Sequence, residues 1–289
     1  MIITETINNS TEQTRQVILD HPAGFSLSGT LISGQCFRWR QQPDGSLRGV
    51  AGDRAVTMLQ RDGQVVILGD DRPDAEDFWR DYLDFGTDYA AIRRLSVCAE
   101  PRLESAVNRC GGVFILRQQP WEALCSFIVS QNNNIPRIRT IIDRLCRRYG
   151  QPIAAADGTQ EWAFPSPEAI ASAGEEELKE LGLGYRAGYL PAAARDVLSG
   201  SFDPAALREL PLDEARKALQ AMKGVGLKVA DCVLLFGLHR LDAFPRDVWI
   251  KRALEGEFRD TPLQNTPYAG VAQQYIFEYI RTQGSEGSN

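Results

Sequence analysis

The sequence predicts an α+β protein, an antiparallel sheet in the N-terminal part followed by a helical remainder. Three observations predict it. Between residues 25 and 69 short apolar or alternating runs are separated by hairpin turn signals. Beyond Asp70 the apolar residues recur at spacings of three and four instead. No internal repeat or low-complexity tract interrupts either part.

Taken in order, FSLSGTL (25–31), CFRWR (36–40), LRGVA (47–51), AVTMLQ (55–60) and VVILG (65–69) read as strands. Pro43-Asp44-Gly45 and Asp62-Gly63 supply turns between them. Helical spacing begins at DFWRDYLDF (77–85) and returns in WEALCSFIV (121–129), IRTIIDRLCRRYG (138–150) and VAQQYIFEYI (271–280), so the rest of the chain is expected to be helical. The boundary falls near Val113, giving a sheet-bearing domain with flanking helices over 1–113 and helical domains over 114–289. Only the tail GSEGSN (284–289) reads as disordered.

With 289 residues, 43% of them hydrophobic, the chain can bury one large core or two or three smaller ones. Its first residues carry no basic patch leading into an apolar run. No stretch approaches the roughly 20 apolar residues of a membrane span, so a cytoplasmic protein with no membrane partner is expected. The six cysteines (36, 98, 110, 125, 146 and 232) form no C-x-x-C pair, and only His21 and His239 are available as imidazoles. Neither a zinc site nor a disulfide framework is suggested. The formal charge of -6 argues against a polyanion partner, yet 131–150 holds five arginines (137, 139, 144, 147 and 148) against Asp143, a local basic face.

The densest motif is Lys223-Gly224-Val225-Gly226, between LDEARKALQAM (212–222) and LKVADCVLLFGL (227–238). Helix, glycine hairpin, helix over about 211–238 can aim backbone amides and a helix N-terminus at a phosphate. An ordinary helix turn capped by glycine is the plain alternative. Lys228 follows in the first turn, Cys232 lies four residues on along the same face, and Asp247 starts another helix in FPRDVW. Asp247 also reads as a simple N-cap, and Lys228 alone as a solvated charge.

GVGLKVADC (224–232) with FPRDVWIKR (244–252) resembles the helix-hairpin-helix/Gly-Pro-Asp superfamily of DNA glycosylases, with Phe-Pro-Arg-Asp in place of Gly-Pro-Asp. LISGQCFRWR (31–40), GGVFILRQQPWEALCSFIVSQNNNIPRI (111–138), LGLGYRAGYL (181–190) and YAGVAQQYIFEYI (268–280) are similar to its 8-oxoguanine branch. The resemblance covers about 31–280.

It implies a bifunctional glycosylase and lyase acting on 8-oxoguanine in double-stranded DNA, opposite cytosine. The chemistry suits the residues: a lysine amine can attack C1′ and form a Schiff base, and a carboxylate can stabilise the cationic sugar. Lys228 and Asp247 take these roles. The flipped base is implied to lie between Cys232 and Phe277, with Gln273 on its Watson-Crick edge and the Gly34 carbonyl accepting the hydrogen on N7. Without the resemblance, Cys232 and Phe277 read as core and Gly34 as a turn residue.

The estranged base is assigned to Asn132, Arg137 and Arg186, with Tyr185 as wedge; a cap, a turn and a solvated arginine are the plain readings. Lys223, Gly224, Val225, Gly226 and Trp249 are assigned to the DNA backbone, though Trp249 reads equally as packing. No cysteine follows Cys232, so no iron-sulfur cluster and no cofactor is implied, although the hairpin could hold a structural monovalent cation. A bacterial monomer associated with the nucleoid is the expected form. A non-catalytic helix-hairpin-helix protein that binds DNA or senses damage is the competing function.

Overall fold

The computed structural model describes residues 16–286. Its sheet holds five antiparallel strands in the order β1-β5-β4-β3-β2: β1 (Gln16–Asp20), β2 (Arg40–Gln41), β3 (Leu47–Ala51), β4 (Arg54–Arg61) and β5 (Gln64–Leu68). Asp62 and Gly63 join β4 to β5 as a two-residue turn with φ of +52° and +78°, and Arg61 pairs with Gln64. Two positive φ values are what a type I′ turn needs, so the Asp-Gly signal fixes this register.

Two segments expected as strands differ. FSLSGTL is largely the helix α1 (Leu27–Ile32), capped by the Ser26 side chain accepting from Gly29 N. Of CFRWR only Arg40 enters a strand, and the rest is an irregular buried run. Its Trp39 lies across Gly49 of β3, where a Cβ would fall 2.5 Å from the ring. Only glycine admits the indole there.

The sheet packs on α2 (Ala75–Tyr82), where Trp39 donates to Tyr82 Oη at 2.9 Å and Trp79 stands edge-on to both rings. Such aromatic pairs add about 0.5–1.5 kcal/mol each beyond their buried area. Helices α3 (Tyr89–Ala99) and α4 (Glu104–Cys110) follow, then an extended run 113–116 that enters the core.

The remainder is mostly helical, as expected: α5 (Pro120–Ser130), α6 (Ile135–Tyr149), α7 (Pro167–Ala171), α8 (Glu175–Leu178), α9 (Tyr189–Leu198), α10 (Pro204–Glu209), α11 (Leu212–Gln220), α12 (Leu227–Cys232), α13 (Val248–Glu255) and α14 (Ala269–Glu286). A two-stranded hairpin, β6 (Pro152–Ala154) with β7 (Gln160–Trp162), interrupts it against expectation. Helix α14 also runs three residues into the tail expected to be disordered; 287–289 lie outside the described residues.

Helix α5 is the central element. Seven consecutive residues, Ala123 to Val129, are buried in it, which is how a helix enclosed on all sides reads. No helix among the described residues is long and apolar enough to cross a membrane.

Candidate active site

The hairpin forms as expected. Helix α11 ends at Gln220, Gly224 takes φ +85°, and Gly226 is the N-cap of α12 in extended conformation. The two glycines do different work. A Cβ on Gly224 would fall 2.4 Å from the Tyr189 ring, whereas a Cβ on Gly226 would meet nothing within 4 Å. Gly224 is therefore required by packing, and exposed Gly226 leaves room for a ligand's backbone. Val225 is buried as the hairpin's anchor and Lys223 is exposed.

The angle between the two helices is locked by a residue that sequence reasoning missed. Asp231, 3% exposed, accepts from Arg216 of α11 at 2.7 Å.

Lys228 is half-buried in the first turn of α12. Its Nζ donates to Ser130 Oγ at 2.9 Å and lies 5.1 Å from the centre of the Phe127 ring. Asp247 is the N-cap of α13, with Oδ1 accepting from Ile250 N at 2.9 Å. The capping role is thus real, and the carboxylate is still partly exposed, with a second oxygen beyond the cap. The Cys232 thiol is hydrogen-bonded to Lys228 and feels the charges of both Lys228 and Asp247. Burial pushes it up to about 11, so it is an uncharged thiol at neutral pH.

Gly34 has φ +87°, and a Cβ there would fall 3.0 Å from Ile135 Cδ1 and 3.9 Å from Phe277 Cε1. The fold thus brings together two residues, Gly34 and Phe277, that the sequence assigned to one pocket, and adds Ile135. The loop carrying Gly34 is held by buried Gln35, which donates to Thr30 O and Phe114 O and accepts from Leu116 N. Gln273 is buried; its amide donates to Pro245 O at 3.1 Å and accepts from Gln274 Nε2 at 2.8 Å. One N–H and one lone pair of that amide remain for a base edge. Its bond to Pro245 also ties α14 to the loop that presents Asp247.

Asn132 (φ +46°), Tyr185 and Arg186 form one cluster. Asn132 Nδ2 donates to Tyr185 Oη at 3.1 Å, and the Arg186 guanidinium lies 4.4 Å from the Tyr185 ring centre. Asn134 is the cap of α6, accepting from Arg137 N. Arg137 is exposed.

Arg186, assigned to the estranged base, is 5% exposed and donates to the carbonyls of Gln131, Asn132 and Leu183, which sets aside the plain reading of a solvated arginine. It clamps the 131–132 loop. Gln131, another residue missed, passes that clamp on by donating to Gly224 O at 3.0 Å.

Arg144, Arg147 and Arg148 of the basic face of α6 have partners within the chain, yet they stay exposed. Arg147 pairs with Asp143, Arg148 with Glu177, and Arg144 donates to Leu181 O. Apolar exposure gathers beside the site: among the described residues, three of the six exposed large hydrophobic residues are Tyr185, Leu227 beside Gly226, and Val248 beside Asp247. Trp249 is half-buried with Arg252 at 5.6 Å from its ring centre, so it packs and also reaches the surface.

Fold and site define a helix-hairpin-helix protein that presents an amine and a carboxylate beside a buried thiol. Residues 17–124 match the 8-oxoguanine DNA glycosylase N-terminal domain, and residues 125–262 the helix-hairpin-helix/Gly-Pro-Asp superfamily of base excision DNA repair proteins. The chain belongs to the 8-oxoguanine DNA glycosylase family. It is 40% identical to MBOgg1, solved with a low-affinity DNA ligand, with a TM-score of 0.87 over 96% of this chain and 99% of that one. The 8-oxoguanine glycosylase/lyase of Clostridium acetobutylicum, solved with double-stranded DNA containing cytosine opposite 8-oxoguanine, is 31% identical with a TM-score of 0.87, over 95% and 98% of the two chains. The N-glycosylase/DNA lyase of Saccharomyces cerevisiae is 37% identical over 165 residues, 53% of this chain; the match spans 44% of that longer relative.

Proposed function

We propose that the protein excises 8-oxoguanine opposite cytosine from double-stranded DNA and then nicks the strand, as a bifunctional DNA glycosylase and abasic-site lyase. The observation that carries this reading is the pair of helix starts, α12 and α13, that bring Lys228 and Asp247 both within electrostatic reach of the buried Cys232 thiol. The same pairing is supported by the Clostridium relative solved with cytosine opposite the lesion.

The lesion base must leave the stack first, at a cost of a few kcal/mol. The Lys228 amine, neutral when it attacks, then adds its lone pair to C1′ as the C1′–N9 bond breaks and its electrons leave with the base. The added nitrogen gives up a proton, and the departing base, which carries the bond electrons, takes one up. Positive charge that builds on the sugar faces the Asp247 carboxylate, a fixed negative group placed before the reaction begins. Opening of the sugar ring gives the Schiff base, which acidifies the C2′ proton, and its loss expels the 3′ phosphate by β-elimination. Amine and carboxylate supply both the covalent and the electrostatic parts, so the reaction needs no cofactor.

The test uses four duplexes, with 8-oxoguanine opposite each base in turn, and measures base release, nicking and the adduct trapped by borohydride. Fastest release opposite cytosine with a trapped adduct is expected. A non-catalytic damage-sensing protein would bind these duplexes and give no adduct.

A further inference from the structure

Lys228 has four rotatable side-chain bonds, so an unrestrained amine would sample many positions around the sugar. Here it is held from outside the hairpin. Ser130 is the last residue of α5, 98 residues away in sequence, and its Oγ accepts from Lys228 Nζ at 2.9 Å. The serine's own proton goes elsewhere, because Oγ donates to Phe127 O at 2.8 Å, one turn back in the same helix. The hydroxyl is thereby fixed as an acceptor toward the lysine.

Phe127 adds the second constraint. Its ring, 5.1 Å from Nζ, is stacked on Phe236 at 5.2 Å and meets Phe37 edge-on at 5.8 Å, so it cannot swing away. Ring and hydroxyl come from residues three apart on α5, and together they define a seat for one amine. The C-terminal end of an eleven-residue helix, with its partial negative charge, lies on the same side.

We propose that Ser130 is a positioning residue for the nucleophile: with one N–H of Lys228 bound to it, the lone pair of the neutral amine is confined to the directions that lead to C1′. This rests on Lys228 being the nucleophile. Ser130 itself touches neither sugar nor base.

The experiment compares the wild type with Ser130→Ala and Ser130→Thr on two duplexes, one carrying 8-oxoguanine opposite cytosine and one an abasic site already made. Single-turnover borohydride trapping, duplex Kd and Tm are measured for each. Ser130→Ala should trap about ten- to a hundredfold more slowly on both duplexes, as expected for a reacting group displaced by about 1 Å. Its Kd should stay within about twofold of the wild type, in the range of a contact that does not touch DNA, and Ser130→Thr, which keeps the hydroxyl, should recover most of the rate.

Trapping of the abasic duplex at the wild-type rate by Ser130→Ala would overturn the proposal. So would slowing confined to the 8-oxoguanine duplex, slowing that follows a weakened Kd or a lowered Tm, or a threonine variant as slow as alanine. A wild type that gave no adduct on either duplex would overturn the Lys228 reading itself, and this proposal with it.

Discussion

Replacing Lys228 with Gln keeps a side chain that can still donate to Ser130 but removes the amine that forms the Schiff base. Lys228→Gln should bind lesion duplex and neither release base nor nick, which gel-based cleavage and a binding titration read together. Asp247→Asn should lose most activity while α13 keeps its cap, because Asn caps about as well as Asp. An unchanged Tm beside a large fall in base release is the expected pair of results. Gly34→Ala sets two effects in one position. A left-handed φ costs an L-residue about 1–2 kcal/mol, and the new Cβ presses on Ile135 at 3.0 Å. Excision of 8-oxoguanine should fall while non-specific binding stays near wild type, because the lost contact is a single buried carbonyl bond of about 1–3 kcal/mol. Excision at the wild-type rate would remove Gly34 from the recognition of the lesion.

At the scale of elements, the arginine of the loop after α8 behaves differently from the arginine of α6. Arg137 is exposed, so Arg137→Ala should weaken preference among opposite bases with little change in stability. Arg186 closes the 131–132 loop onto the hairpin through Gln131, and its removal takes the donor from the buried Leu183 carbonyl and from the partly buried carbonyls of Gln131 and Asn132. Arg186→Ala should therefore cost about 2 kcal/mol or more and reduce affinity for any duplex, seen as a lower denaturant midpoint and a raised Kd on undamaged DNA. Helix α14 carries a pH dependence of its own. Burial pushes Glu278 up to about 7 although Arg281 at 2.6 Å pulls it down, so the native state keeps a proton that the unfolded chain loses above about 4.5. Stability should fall as pH rises through that interval, by up to about 3 kcal/mol. Glu278→Gln should flatten the fall, with urea midpoints at pH 5.5 and pH 8 as the measurement.

At the scale of the whole molecule, one of the ties between the sheet-bearing and helical parts is a buried carboxylate. Asp84, 1% exposed and at φ +54°, accepts from Arg117 Nε at 2.9 Å and Tyr89 Oη at 2.8 Å, and Nε2 of His239, from the helical part, lies 3.0 Å away. Burial would raise its pKa, but His239 and Tyr89 outweigh that and hold it below the ordinary value. A depressed carboxyl contributes stability above its ordinary pKa and loses it as pH falls through the folded value. Asp84→Ala should cost about 3–5 kcal/mol at neutral pH, since it leaves His239, Tyr89 and Arg117 facing an empty site, and the difference from wild type should shrink on acidification. Denaturant unfolding at pH 7 and pH 4 measures both.

By itself the sequence determined the division into sheet and helix, the β4–β5 turn, the hairpin and the two charged residues that follow it. Each of these is local: Asp-Gly needs only its own two φ values, and Lys228 and Cys232 share a face because they are four apart. The tertiary structure decided what local patterns leave open. Leu27 and Leu31 of FSLSGTL are spaced by four, which satisfies a strand's period of two and a helix's turn alike, and the Ser26 cap with burial of both leucines chose the helix. The arginines of α6 read as a basic face with Asp143 beside them, and Arg144, Arg147 and Arg148 stay exposed, but the partner of Arg148, Glu177, comes from another element that no local spacing names. The assignment of Arg186 to the estranged base leaves out its carbonyl partners at 131 and 132, because they lie more than fifty residues away. The seat of the nucleophile has the same origin: nothing in the spacing of Ser130 and Lys228 relates them, and only the packing of α12 on α5 brings a hydroxyl within 2.9 Å of the amine. Contacts of that kind depend on how helices meet, which no stretch of sequence carries alone.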